Sequence, residues 1–318
     1  MKNKEELDIV FMGTPAFAVT ILEQLIKEGY NIKAVVTAPD RPAGRGRKLK
    51  GSPVKECAMA YEIPILQPAN LKDEAFVSEL KGFKADLFIV VAFRMLPKVI
   101  WEIPPMGTFN LHGSLLPQYR GAAPINWAII NGEKETGVTS FFIDEKIDTG
   151  EIILSQKMSI HENETAGELH DRMMVVAAQT VADTVELIRK GEAQPKPQPE
   201  GDLKEAPKIH KQDCLIDFHL PINEIHNFIL GMSPYPTAWM KLKNKENGQE
   251  KTLKVFRSEF PEMKENTKVK LEKQGKKLIL NALKGSIHLL EVQLEGKKRL
   301  DYISFLAGFN PEEWEIVH

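Results

Sequence analysis

Through the first half of the chain, nearly unbroken apolar runs alternate with stretches of helical periodicity. The runs "LDIVFM" (7–12), "NIKAVVTA" (31–38) and "DLFIVVAF" (86–93) are rich in Val and Ile. Segments of this kind form parallel strands buried on both faces, whereas a strand with one wet face alternates apolar with polar. Helical patterns over 54–61 and 73–80 separate them. The first run opens into "GTPAFAVTILEQLIKEG", where Pro15 suits a first helical turn and Gly29 a helix stop. Repeated strand, turn and helix predict an α/β, doubly wound, mostly parallel sheet. Further strands are expected over 107–112, 137–143 and 151–156, then a long helix over 166–190.

The pattern changes at "KGEAQPKPQPEGDLKEAPKIHKQD", where prolines and charges displace apolar residues as in an extended linker. Beyond it come a short helix over 222–230, the loop "GMSPYPTAWM", and alternating runs such as "KTLKVFRSEF", "KKLILNA" and "GSIHLLEVQLE". These predict a smaller antiparallel β-barrel. With 318 residues, more than one core is expected, divided as 1–190, a linker 191–208, and 209–318.

Composition narrows the function classes. A hydrophobic share of 42%, a charged share of 27% and a formal net charge of -2 describe an ordinary globular chain, so any nucleic-acid contact must come from a local patch. Cys57 and Cys214 lack metal-ligand spacing and suit a reducing cytosol as quiet core thiols. The start "MKNKEELDIVFMG" has no signal-peptide core, and no apolar run approaches the ~20 residues needed to span a bilayer, so a cytoplasmic location is expected. The turn "MGTPAFA" lacks Gly-x-Gly-x-x-Gly and argues against a nicotinamide cofactor. The histidines outside position 112 show no metal-ligand pairing, and no metal is expected.

The chemistry-bearing stretch is "GTFNLHGSLLPQYRGAAP" (107–124). Strand alternation puts Thr108, Asn110 and His112 on one face, and Gly113 and Pro117 end the strand there. An amide and an imidazole are thereby aimed together at a carboxyl end, where open α/β sheets bind ligands. Downstream, "FFIDEKIDTGEI" carries Asp144 and Asp148 in a turn-rich loop. An Asn N–H can stabilise an oxyanion, a His can move a proton, and an Asp can orient it. Without a Ser or Cys nucleophile in an activating motif, direct acyl transfer between two bound substrates fits better than a covalent intermediate. A purely structural Asn-x-His pair is the competing reading.

From Phe109 onward, "FNLHGSLLPQYRGAAPINWAIINGEKETGVTSFFIDEKIDTGEI" resembles the signature region of the folate-dependent formyltransferases, with their Asn-x-His pair, Ser-Leu-Leu-Pro run and Asp-Thr-Gly. The resemblance implies a Rossmann-like formyltransferase domain followed by an oligonucleotide-binding-type (OB-like) barrel. It implies catalytic roles for Asn110, His112 and Asp148, and 10-formyltetrahydrofolate as donor. It places Ser114, Leu115, Leu116, Pro117, Phe93 and Asp144 at the folate. "APDRPAGRGRKLKGSPVK" resembles the basic insertion of the branch whose acceptor is initiator methionyl-tRNA, implying tRNA contacts by Arg41, Arg45, Arg47, Lys48 and Lys50 and a role in translation initiation. A solvated surface excursion is its bland reading. "AFRMLP" (92–97) departs from the family, being one residue shorter and bearing Phe93 and Arg94 in the pterin-side wall. A monomer is expected. The rivals are a sugar N-formyltransferase, a formyltetrahydrofolate hydrolase and a non-catalytic RNA-binding module.

Overall fold

A computed structural model describes residues 2–43 and 48–317. In chain order the first elements are β1 (Asp8–Gly13), α1 (Ala16–Lys27), β2 (Asn31–Val36), β3 (Arg41–Ala43), β4 (Lys48–Lys50), α2 (Pro53–Ala60), β5 (Ile65–Leu66), α3 (Glu74–Gly82) and β6 (Leu87–Val91). Next come α4 (Lys98–Trp101), β7 (Thr108–His112), β8 (Arg120–Gly121), α5 (Pro124–Ile130), β9 (Glu135–Phe142), β10 (Ile152–Ser159), α6 (Ala166–Lys190) and β11 (Glu205–Ala206). The remainder holds α7 (Ile222–Gly231), β12 (Ala238–Asn244), β13 (Glu250–Glu262), β14 (Lys270–Gln274), β15 (Lys277–Ala282), β16 (Gly285–Leu294), β17 (Leu300–Asp301), α8 (Tyr302–Leu306) and β18 (Trp314–Val317).

Contacts divide the chain into two compact units, one of Met1–Arg120, Gly137–Met158 and Arg172–Glu205, the other of Gly121–Thr136, Ser159–Asp171 and Ala206–His318. The first is built on a sheet of order β10-β9-β7-β6-β1-β2-β5. Its β5, β2, β1, β6 and β7 run parallel, and β9 is antiparallel to β7. Both faces are dry, as the apolar runs require. Val10, Met12, Phe88 and Val90 pack with Phe76, Val77 and Leu80 of α3, while Ile9, Phe11 and Ile89 of the opposite face are also fully buried. Capping explains two helix starts: the Ser52 hydroxyl accepts from the Lys55 amide and the Asp73 carboxylate from that of Phe76. The strand expected to reach Phe93 ends at Val91, because Ala92 takes a left-handed φ of 47°.

The second unit is an antiparallel sheet of order β14-β15-β16-β13-β12-β18, with β17 paired to β16. Register shifts between Val255 and Arg257 and between Glu259 and Glu262 bend β13, so β14 and β18 approach each other and the sheet nearly closes. The predicted barrel is therefore present, filled by Met240, Leu253, Leu280 and Leu289, with α7 laying Ile222, Ile225 and Ile229 on that core. α5 belongs to this unit and packs on α7. Gly231 has Ile130 Cγ1 only 2.5 Å from where a Cβ would stand, and its carbonyl accepts from the Asn126 amide at 2.7 Å. The segment read as a linker is extended but tethered: Lys196 bridges to Ile152, and β11 pairs with β8.

Candidate active site

β7 lies between β6 and β9, with Asn110 opposite Val90 and Phe141, and His112 opposite Thr139. Strand order reverses between β1 and β6, the neighbour of β7, so the carboxyl end of β7 borders the crevice such a reversal leaves. Asn110 and His112 share the face the sequence predicts. The half-buried Asn110 amide makes no side-chain hydrogen bond among the described residues, leaving two N–H donors for a ligand. His112 is only 6% exposed, and both of its ring nitrogens face acceptors. Its Nε2 lies 2.7 Å from the Tyr119 carbonyl oxygen, and its Nδ1 lies 3.7 Å from Asp148 Oδ2. A carbonyl only accepts, so Nε2 carries a hydrogen and donates. Nδ1 is then the atom where a second proton arrives or leaves, and it does so facing a carboxylate.

The Asp-Thr-Gly triplet owes each residue to a local demand. Asp148 adopts a left-handed φ of 54°, which Asp tolerates better than most side chains. The Thr149 hydroxyl donates to both Asp144 carboxylate oxygens, at 2.7 and 2.9 Å, and the Lys146 amide donates to Oδ1 at 3.0 Å. Asp144, expected at the folate, thus has its carboxylate taken up in shaping the turn that presents Asp148. Gly150 runs against the Phe142 carbonyl oxygen, which stands where a Cβ would be. Gly150→Ala is expected to cost about 1–3 kcal/mol through overpacking, seen as a lower urea midpoint. An unchanged midpoint would mean that the loop simply relaxes away.

The Ser-Leu-Leu-Pro run is held from below by Thr139, whose hydroxyl donates to the Ser114 carbonyl at 2.7 Å and accepts from the Leu116 amide at 3.1 Å. Ser114 Oγ donates to the Gln118 carbonyl, and both Ser114 and Leu116 are buried. Of the four residues expected at the folate on this run, Ser114 and Leu116 are thus packed into the loop, while Leu115 and Pro117 stay half-buried. Phe93 packs against the core beneath β6. Arg94, the unfamiliar charge in that wall, donates to the Ala69 carbonyl at 3.0 Å and to that of Pro68, stapling the chain after β5. Burial, and then Arg41, push its pKa down.

The flanks of the basic insertion are described on either side of 44–47. These flanks pair antiparallel, Arg41 opposite Lys50 and Pro42 opposite Leu49. Asp40 anchors the base, accepting from Gln67 and from Lys55 Nζ, the two contacts that hold its carboxyl below the usual range. Arg41 and Lys50 are exposed and form no ion pair among the described residues. Arg45 and Arg47 lie outside the described residues, and the side chain of Lys48 is likewise not described.

The remaining ionisable groups point elsewhere. Burial pushes the Cys57 thiol up to about 11 and that of Cys214 upward, which disfavours the thiolate form of both. His226 is buried between Ser258 Oγ and Asn163 Oδ1, each 2.9 Å away, and burial lowers its pKa to about 4. It is a neutral structural group at ordinary pH. Among the described residues no three His, Cys, Asp or Glu side chains are grouped to hold a metal ion, and no helix is long and apolar enough to cross a membrane.

Comparison with known proteins agrees along the chain. A model of the formyl transferase domain matches residues 7–185, and one of the formyl transferase C-terminal domain matches residues 208–310. The sequence is 52% identical over 306 residues to a methionyl-tRNA formyltransferase of Flavobacterium johnsoniae, covering 96% of each chain. It is 48% identical over 317 residues to the methionyl-tRNA formyltransferase of Bacteroides fragilis, covering 98% of each. In fold it resembles an N-formyltransferase of Helicobacter canadensis solved with folinic acid and dTDP-3-aminofucose, with a TM-score of 0.63 at 21% identity over 88% of this chain and 98% of that one.

Proposed function

Because this chain belongs to the formyl transferase family, whose donor is a formyl-tetrahydrofolate, we propose that it moves the formyl group of 10-formyltetrahydrofolate onto the α-amine of methionine carried by initiator tRNA. The chemistry rests on one observation, the buried His112 facing Asp148 beside the Asn110 amide, which makes no side-chain hydrogen bond among the described residues. The acceptor rests on the near-full-length likeness to methionyl-tRNA formyltransferases.

The amine nitrogen bonds to the formyl carbon and the carbonyl oxygen becomes an oxyanion. Asn110 donates to that oxygen, a contact that strengthens as charge develops. The attacking nitrogen must lose a proton and the departing folate nitrogen must gain one. His112 Nδ1 is the position where a proton is held in between, with the Asp148 carboxylate steadying the imidazolium. Nε2 stays on the Tyr119 carbonyl throughout and fixes the ring. In this reading 1–190 carries the transfer chemistry, 209–318 adds tRNA surface through 191–208, and the enzyme works as a cytoplasmic monomer.

Incubating the protein with 10-formyltetrahydrofolate and methionyl initiator tRNA, with uncharged tRNA as control, should yield formyl-methionyl-tRNA. Formate released without acceptor would mark a hydrolase, and product only with an amino-sugar nucleotide would mark a sugar transferase. The cations of the paired flanks are expected to meet tRNA phosphate. Replacing Arg41 and Lys50 together with Ala should weaken tRNA binding and lower the slope of log K against log salt by about 1–2. An unchanged slope would return these flanks to a solvated surface role.

A further inference from the structure

The proline-rich stretch after α6 reaches back into the site. Gln198 donates from Nε2 to the carbonyl oxygens of Asp148 and Gly150, each at 2.9 Å. Its Oε1 accepts from Arg120, from Nε at 3.1 Å and from Nη2 at 2.6 Å. Every hydrogen-bonding position of the amide is thus used. The two ends of this bridge are the two halves of the His112 environment. Arg120 follows Tyr119, whose carbonyl holds His112 Nε2, while Asp148 supplies the carboxylate facing Nδ1. Asp148 also sits in a left-handed conformation, with φ of 54°.

We infer that Gln198 is a positioning residue, tying the Asp148 turn to Arg120 so that the carboxylate and the Tyr119 carbonyl bracket the imidazole from fixed distances. This rests on the reading of His112 and Asp148 as the proton-handling pair. Gln198 touches no reacting atom, and its effect passes through Asp148. Loosening the turn lets the 3.7 Å gap between Nδ1 and Oδ2 drift, and misplacements of about 1 Å commonly cost up to 100-fold in rate.

The test is a double-mutant cycle between Gln198→Ala and Asp148→Asn, with Gln198→Glu as a second variant that keeps an acceptor for Arg120 but cannot donate to the carbonyls. Gln198→Ala is expected to lower kcat about 10-fold or more, with KM for donor and acceptor within about 3-fold, and to cost less than about 3-fold when Asp148 is already Asn. Gln198→Glu should show the same kcat loss. The pH titration of the His112 ring protons, followed by NMR on histidine-labelled protein without substrate, should move in the same direction in Gln198→Ala as in Asp148→Asn. Equal kcat losses in both backgrounds with an unchanged His112 titration would overturn the assignment, as would turnover within about 2-fold of the parent. The titration needs no acceptor, so a wrong substrate silences the kinetics while the positioning of His112 is still read.

Discussion

His112→Ala is expected to lower kcat about 10²–10⁴-fold, the range typical for removing a positioned acid–base group. Asp148 approaches through Nδ1, and Nε2 is the donor to Tyr119. The same substitution strips a buried carbonyl of that donor and should cost about 1–3 kcal/mol of stability. Rates must therefore be taken where circular dichroism shows the chain folded. His112→Gln, whose amide can still donate to the carbonyl, separates the two effects by recovering stability without recovering rate. Near-parental turnover in a folded His112→Ala chain would remove the imidazole from the mechanism.

Asn110→Ala should cost about 10²–10³-fold in kcat with almost no loss of stability. The contrast with His112 follows from the structure. The Asn110 amide has no side-chain partner among the described residues, so its removal leaves no protein group unsatisfied. An oxyanion donor is engaged fully only as the carbonyl oxygen gains charge, so kcat and kcat/KM should fall together. A rise in KM for the folate with kcat intact would instead make Asn110 a ground-state contact. Paired measurement of saturating rates and urea midpoints for the two variants distinguishes a residue tied into the fold from one held in reserve for the substrate.

Strands such as β6, Leu87–Val91, were legible because burial on both faces favours a near-continuous apolar run, and the long helix keeps its predicted bounds of Ala166–Lys190. Asn110 and His112 were legible for an equally simple reason, since strand alternation is local. The approach of Asp148 was not, being set by a turn whose geometry depends on Thr149 reaching Asp144 and Gly150 slipping past Phe142. The loop reading offered both Asp144 and Asp148, and the Asp-Thr-Gly resemblance singled out Asp148. Tyr119 escaped because it contributes a carbonyl, a group every residue carries. Gln198 escaped because a stretch rich in proline and charge reads as linker whether or not an amide in it returns to the domain. The left-handed φ of Tyr119, 61°, had only the neighbouring Arg120-Gly121 as a weak turn signal.

The packing of α5 on α7 has a temporal side. Chain synthesis delivers α5 on the order of 100 residues before α7, a lag of about 5–20 s at ordinary elongation rates. Within that interval β9 and β10 are added to the sheet of the first unit, while Ile130 and Asn126 still lack the Gly231 they close on. A nascent chain therefore carries a sticky helix until the ribosome has passed Gly231, and a chaperone that meets this protein before completion has that helix to hold.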